Sequence, residues 1–170
     1  MNQEFLKERK LFFYGIIIAL IICVADLYSK EQIFLFLDHK AKEYGLPYFQ
    51  MEITGFFSLV KVWNKGVSFG MLNDLTYGKY ILSALNIIIT LILSIWLYRN
   101  RHPYVMIALA LIIGGALGNL IDRLNNDAVA DFLDFHLFSY HWPAFNLADS
   151  SVFIGVALLL LEGLFIKKKD

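Results

Sequence analysis

Apolar residues in this chain are gathered into four long runs, 11–27, 80–98, 104–121 and 150–166, each of 17–19 residues. That length is close to the ~20 residues a helix needs to cross a hydrocarbon core ~30 Å thick. The pattern predicts four transmembrane helices. Pro103 leaves only a short turn between the second and third runs, so those two helices are expected to be antiparallel neighbours. The connections 28–79 and 122–149 are longer and differently patterned. Residues 31–43 mix apolar and charged positions (Ile33, Phe34, Leu37 among Glu31, Asp38, Lys40), as a helical segment at a membrane interface does. Residues 50–72 carry Ile53, Phe57, Leu59, Val62, Trp63, Val67 and Phe69 between turns at Gly55 and Gly66. This reads as a small β-ribbon of two or three strands.

Composition agrees, with 58% hydrophobic residues against roughly 45–50% for a soluble domain. The fold class is therefore integral membrane α-helical, one domain over 1–170, with a small β-ribbon and an interfacial helical segment outside the bilayer. Lys7, Arg9 and Lys10, then Arg99 and Arg101, then Lys167, Lys168 and Lys169 all fall on one side if every run spans. The positive-inside rule makes that side cytoplasmic. Both termini are then expected inside, and both long connections outside. Lys7 to Ala25 also resembles the opening of a signal peptide, but Ala25 leads directly into Asp26-Leu27-Tyr28 with no small-x-small cleavage site. A retained first helix is the expectation. Ile22 before Cys23 is too bulky for a lipid-attachment motif, and one cysteine supports no disulfide framework or cysteine-rich zinc site.

Net charge is zero, and no basic stripe interleaves with aromatics, so nucleic acid is not an expected partner. There is no HExxH, and His39, His102, His136 and His141 are scattered along the chain, so no metal site is expected. Gly-x-Ser-x-Gly and P-loop patterns are absent too.

What remains is acidic. Asp131 and Asp149 lie in the same outer connection, Asp149 just before the last apolar run. Carboxylates at a membrane boundary are costly to desolvate and point to function. If these two meet, repulsion raises one pKa, and the pair can divide general-base and general-acid work. Asp149 also reads simply as a first-turn acid, with Asn146 three residues earlier. Gly114, Gly115 and Gly118 make a small face on the third helix that lets a neighbour approach closely. Asn119, Asp122 and Arg123 follow; a clamp that stiffens the site is the expected role of Asp122 and Arg123, with a catalytic role for Asp122 left open. Asp26 and Lys30 share a helical face as an i, i+4 pair. Asn64-Lys65-Gly66 reads as a hairpin turn whose amide could also hold a peptide backbone. A proton-coupled carrier or a non-catalytic scaffold would use the same residues differently. The carrier would want acids near the midplane and internal symmetry, and neither is visible.

Taken in order, Asp26…Lys30, Asn64-x-Gly66-x-x-Phe69, Gly114-Gly115-x-x-Gly118-Asn119-x-x-Asp122-Arg123, Val129-x-Asp131-Phe132 and Phe145-Asn146-x-Ala148-Asp149-Ser150 resemble the motif set of bacterial lipoprotein signal peptidase, signal peptidase II. The resemblance runs from about residue 11 to 166. It implies a cofactor-free aspartic endopeptidase of the bacterial inner membrane. Such an enzyme cuts a diacylglyceryl-modified prolipoprotein just before its lipidated cysteine, and cyclic peptides such as globomycin inhibit it. It further implies Asp131 and Asp149 as the catalytic pair. Asp26, Lys30, Asn64, Gly66, Asn119, Asp122, Arg123 and Asn146 would bind substrate or support the site. Ala130 and Val67-Ser68 depart from the family's usual residues, which bears on substrate fit rather than chemistry. A single chain would hold every element of the site, so a monomer is expected.

Overall fold

A computed structural model describes residues 3–66 and 78–166. Val67, Ser68 and Phe69, expected to continue the ribbon, and the terminal Lys167, Lys168 and Lys169 lie outside the described residues. Four helices are long and apolar enough to cross a membrane: α1 (Gln3–Glu43), α2 (Gly78–Arg99), α3 (Pro103–Asn126) and α4 (Leu147–Ile166). Strands β1 (Met51–Thr54), β2 (Phe57–Asn64), β3 (Val129–Leu137) and β4 (Tyr140–His141) form one antiparallel sheet in the order β1-β2-β3-β4.

The first helix does not stop at residue 27. It continues for 41 residues in all, about 60 Å at 1.5 Å per residue, twice what a bilayer core requires. Between Leu27 and Glu43 no glycine or proline interrupts it, and Lys30, Phe34, Leu37 and Ala41 are buried along one face at helical spacing. The interfacial segment is thus the second half of α1. It ends in a Schellman motif: Gly45 adopts a left-handed φ of 66°, Leu46 N–H bonds the Ala41 carbonyl at 2.8 Å, and Gly45 N–H bonds that of Lys42 at 3.2 Å. Pro47 follows, where a helix cannot resume.

Helix α3 is the hub. Of its most apolar window 67% is buried, against 17–22% for the other three helices, whose remaining apolar surface suits lipid. At one end, Phe12 of α1 meets Tyr98 of α2 edge-on at 5.4 Å, so Arg9, Lys10, Arg99 and Arg101 lie at the same end of the bundle. The sheet caps the opposite end. Trp63 packs edge-on against Phe34 at 5.2 Å, and Phe34, Ala130 and Phe132 form a small core between sheet and α1.

The ribbon expected from 50–72 supplies only half of this sheet. The connection 122–149 supplies β3 and β4, and α3 runs five residues past its expected end at 121 before Asp127 turns left-handed at φ 57°. Small residues on α3 set the helix spacing. A Cβ at Gly115 would collide with the Ala148 carbonyl and Ser151 Oγ of α4, and one at Gly118 would collide with the Asp26 carboxylate of α1. Gly114 is likewise tight against Ala19. Close packing of these helices therefore depends on side chains that are absent.

Candidate active site

Where the sheet meets the bundle, the polar residues singled out in the sequence converge. Asp131 lies on β3, opposite Val62 of β2, and is 1% exposed. Asn64 Nδ2, at the end of β2, donates to its Oδ2 at 3.0 Å, and Asn146 Nδ2 donates to its Oδ1 at 2.7 Å. Asn64 is itself fixed by an Asx turn, its Oδ1 accepting the Gly66 N–H at 3.1 Å. This ties Gly66 to the site through its backbone alone.

Asp149 stands in the first turn of α4, and the bland and functional readings of it coexist. Asn146 caps the helix by accepting the Asp149 N–H at 2.8 Å, and Asp149 Oδ2 accepts the Asn146 N–H at 3.3 Å. This is a reciprocal capping box with an asparagine and an aspartate in its two roles. Its other oxygen accepts Asn119 Nδ2 at 2.8 Å. Asn146, fully buried, therefore touches both carboxylates, that of Asp131 through its side-chain Nδ2 and that of Asp149 through its backbone N–H.

Beneath the pair lies an ion cluster. Lys30 Nζ pairs with Asp26 Oδ2 at 2.6 Å and Asp122 Oδ2 at 2.8 Å and donates a hydrogen bond to Asn119 Oδ1 at 3.0 Å. The contact to Asp26 Oδ2 is an ion pair rather than a well-aligned hydrogen bond. The second Asp26 oxygen accepts the Ala148 N–H at 2.8 Å, and Asp122 Oδ2 also accepts the Ala130 N–H at 3.2 Å. These residues come from α1, α3, β3 and α4. Lys30 neutralises part of the cluster and holds the two aspartates, which in turn hold the backbone beside Asp131 and Asp149. Asp122 and Arg123 do face different ways. Arg123 Nη1 donates to the Asn119 carbonyl at 3.4 Å, and its charge acts on Asp149 and Asp131.

The environments of the two carboxylates differ. Asp131 is pushed up to about 7, first by burial and then by the charge of Asp149, against the opposing hydrogen bonds of Asn64 and Asn146 and the charge of Lys30. Asp149 is partly exposed and lines an apolar groove. One group is thus sealed and inclined to hold a proton, and the other is open to an incoming molecule. Such a pair can activate water with one member and supply a proton with the other.

The sequence missed the backbone groups of Ala130 and Ala148, which no side-chain motif announces. Nor did the spacing of the histidines show that β3–β4 pairing brings two of them together. His136 stacks on His141 with centroids 4.9 Å apart, His141 Nδ1 lies 2.9 Å from Asp134, and His136 Nε2 lies 3.1 Å from Ser58 Oγ. Among the described residues no group of three or more histidine, cysteine or acidic side chains is arranged to hold a metal ion.

Comparison with known proteins shows the family. The family model described as "Signal peptidase (SPase) II" matches residues 18–165. A lipoprotein signal peptidase of Burkholderia cenocepacia is 44% identical over 149 residues, covering 86% of this chain and 85% of that protein. One from Francisella tularensis subsp. mediasiatica is 39% identical over 158 residues, covering 91% and 93%. A solved structure described as a bacterial membrane enzyme, at 2.3 Å, superposes with a TM-score of 0.73 at 27% identity, covering 92% of both chains. A second, at 1.9 Å, gives 0.72 at 28% identity, covering 89% of this chain and 92% of the other. With four apolar helices and these relatives, the molecule is a multi-pass membrane protein, and the chain belongs to the signal peptidase II family.

Proposed function

We propose that this chain is an aspartic endopeptidase that removes the signal peptide from diacylglyceryl-modified prolipoproteins, cutting just before the lipidated cysteine. The observation that carries the reading is Asn146, one buried residue whose side-chain amide holds a sealed carboxyl and whose backbone N–H holds an open one. In this reading Asp149, ionised, takes a proton from water as the water oxygen attacks the scissile carbonyl. Asp131, protonated, gives its proton to the carbonyl oxygen, forming a neutral diol. Asp149 then protonates the cysteine nitrogen as the C–N bond breaks, and a diol hydroxyl returns its proton to Asp131. The products are a signal peptide with a new carboxyl end and a free amino group on the lipidated cysteine. Asn64, Asn119 and Asn146 keep the two carboxyls oriented, while Lys30 and Arg123 supply positive charge. Burial of Asp131 excludes competing water and strengthens each hydrogen bond in the site.

The position of Arg9, Lys10, Arg99 and Arg101 at the end away from the sheet supports a cytoplasmic location for both termini. The site then lies at the outer face of the bacterial inner membrane. Every polar group of the network comes from one chain, which supports a monomer. Incubation of purified enzyme with a diacylglyceryl prolipoprotein, followed by mass spectrometry of the products, tests the activity. A single cut before the modified cysteine, blocked by globomycin, is expected. Well-folded enzyme that leaves this substrate intact, or cuts elsewhere, would contradict it.

A further inference from the structure

The histidines at the base of the β3–β4 hairpin form a second centre of ligand chemistry, outside the network around Asp131 and Asp149. His136 and His141 are direct partners in the strand register. The His136 N–H donates to the Phe56 carbonyl at 3.0 Å, which turns it away from β4. One residue along, the Trp142 N–H donates to the Phe135 carbonyl at 2.8 Å. The two histidines therefore occupy a non-hydrogen-bonded pair, the position at which facing side chains stand closest.

Each ring is held from behind at one nitrogen. Both oxygens of the buried Asp134 lie near His141 Nδ1, at 2.9 and 3.1 Å. An ionised carboxylate only accepts, so Nδ1 carries the proton and the lone pair of the neutral ring is on Nε2. The buried Ser58 meets His136 Nε2 at 3.1 Å through Oγ. With that bond donated by Nε2–H, the His136 lone pair is on Nδ1. Partners of this kind stand behind metal-bound histidines, where they fix the tautomer and raise the basicity of the ligating nitrogen. Zinc–nitrogen bonds of about 2.0–2.1 Å at adjacent positions put two imidazole centroids roughly 4.5–5.2 Å apart. Here the centroids are 4.9 Å apart. The His141 side chain is 55% exposed, so its ring has room to swing out of the stack and turn Nε2 towards an ion shared with its neighbour.

We propose that His136 and His141 bind a divalent transition ion of the zinc type, through Nδ1 and Nε2 respectively, with Asp134 and Ser58 as outer partners and water completing the coordination. Imidazole suits zinc, copper and nickel, whereas calcium and magnesium take oxygen ligands. Two protein ligands are fewer than a closed structural site uses, so the ion exchanges readily and the fold does not depend on it.

The test uses chelator-treated enzyme without a polyhistidine tag, titrated in detergent with Zn²⁺ by calorimetry and with Cu²⁺ by electron paramagnetic resonance. A single Zn²⁺ per chain is expected, with couplings from two imidazole nitrogens in the copper spectrum and no heat from Mg²⁺. His136→Ala and His141→Ala should each weaken Zn²⁺ binding by at least about 100-fold, and Asp134→Asn by about 10-fold, the lower end for an outer partner. His39→Ala, on α1, and His102→Ala, in the turn between α2 and α3, should bind as wild type does. Because His141 is half in solvent, its variant keeps the fold, which a metal-free melt matching wild type will show. Wild type that takes up no Zn²⁺ overturns the proposal. So does uptake that survives His141→Ala, uptake lost in His39→Ala or His102→Ala, or a copper spectrum with a single imidazole. Binding unchanged in Asp134→Asn would overturn the part given to the carboxylate.

Discussion

Asparagine at either Asp131 or Asp149 is expected to reduce prolipoprotein cleavage by at least about 10³-fold, the scale on which positioned proton transfer acts when both partners are needed in one step. The two losses have different origins. In Asp149→Asn the amide oxygen can still accept the Asn146 N–H and keep the α4 cap, but no carboxylate remains to take a proton from water. In Asp131→Asn one acceptor oxygen survives and the transferable proton is lost. Asn64 Nδ2 and Asn146 Nδ2 both donate to the native group, so one of them must face the new amide. The lost hydrogen bond costs about 1 kcal/mol, which weakens the site without unfolding the chain. Single-turnover cleavage measured beside a thermal melt separates chemistry from folding. A variant that melts normally and retains more than about a tenth of wild-type activity would refute the dyad.

The largest expected effect on stability belongs to Lys30→Met. Removing the ammonium leaves Asp26 and Asp122 buried with one backbone N–H each, from Ala148 and Ala130. Breaking a buried ion pair by deleting one partner costs about 3–5 kcal/mol, because the stranded charge stays out of water. Here two carboxylates are stranded, so a substantial fall in melting temperature in detergent is expected. Adding Asp26→Asn and Asp122→Asn to Lys30→Met should restore part of it, since no net charge is then left buried. A single variant as stable as wild type would show that Lys30 is not the keystone of this end of the bundle.

How much of this was legible in the sequence depends on how local each cause is. The four spans were, because a hydrophobic run needs no partner to declare itself. The continuation of α1 carried a readable signal in the spacing of Lys30, Phe34, Leu37 and Ala41, but the charged residues between them suggested a separate interfacial piece. Strand β3 was hidden for a physical reason. Val129 to Phe132 are all buried, so the strand has no inside–outside alternation to betray it, and its pairing partner lies far away in β2. The Asn146–Asp149 capping box was visible as a local motif. That Asn146 also reaches Asp131, or that Lys30 of α1 reaches Asp122 of α3, depends on tertiary packing that spacing does not encode. Family resemblance assembled these residues before any contact was known; the structure supplies a reason for their company.

The dependence of kcat/KM on pH tests the shared proton most directly, because it reports ionisations of the free enzyme. Asp131, held up to about 7 by burial and by the charge of Asp149, must carry its proton for the carbonyl to be protonated. Raising the pH through that value removes it, and each further unit should cost about tenfold. With a lipidated prolipoprotein, activity is expected to hold up to about pH 7 and to fall roughly 100-fold by about pH 9. A profile that stays level from about pH 5 to 9 would mean that no protonated carboxyl takes part, and the two-aspartate mechanism would have to be abandoned.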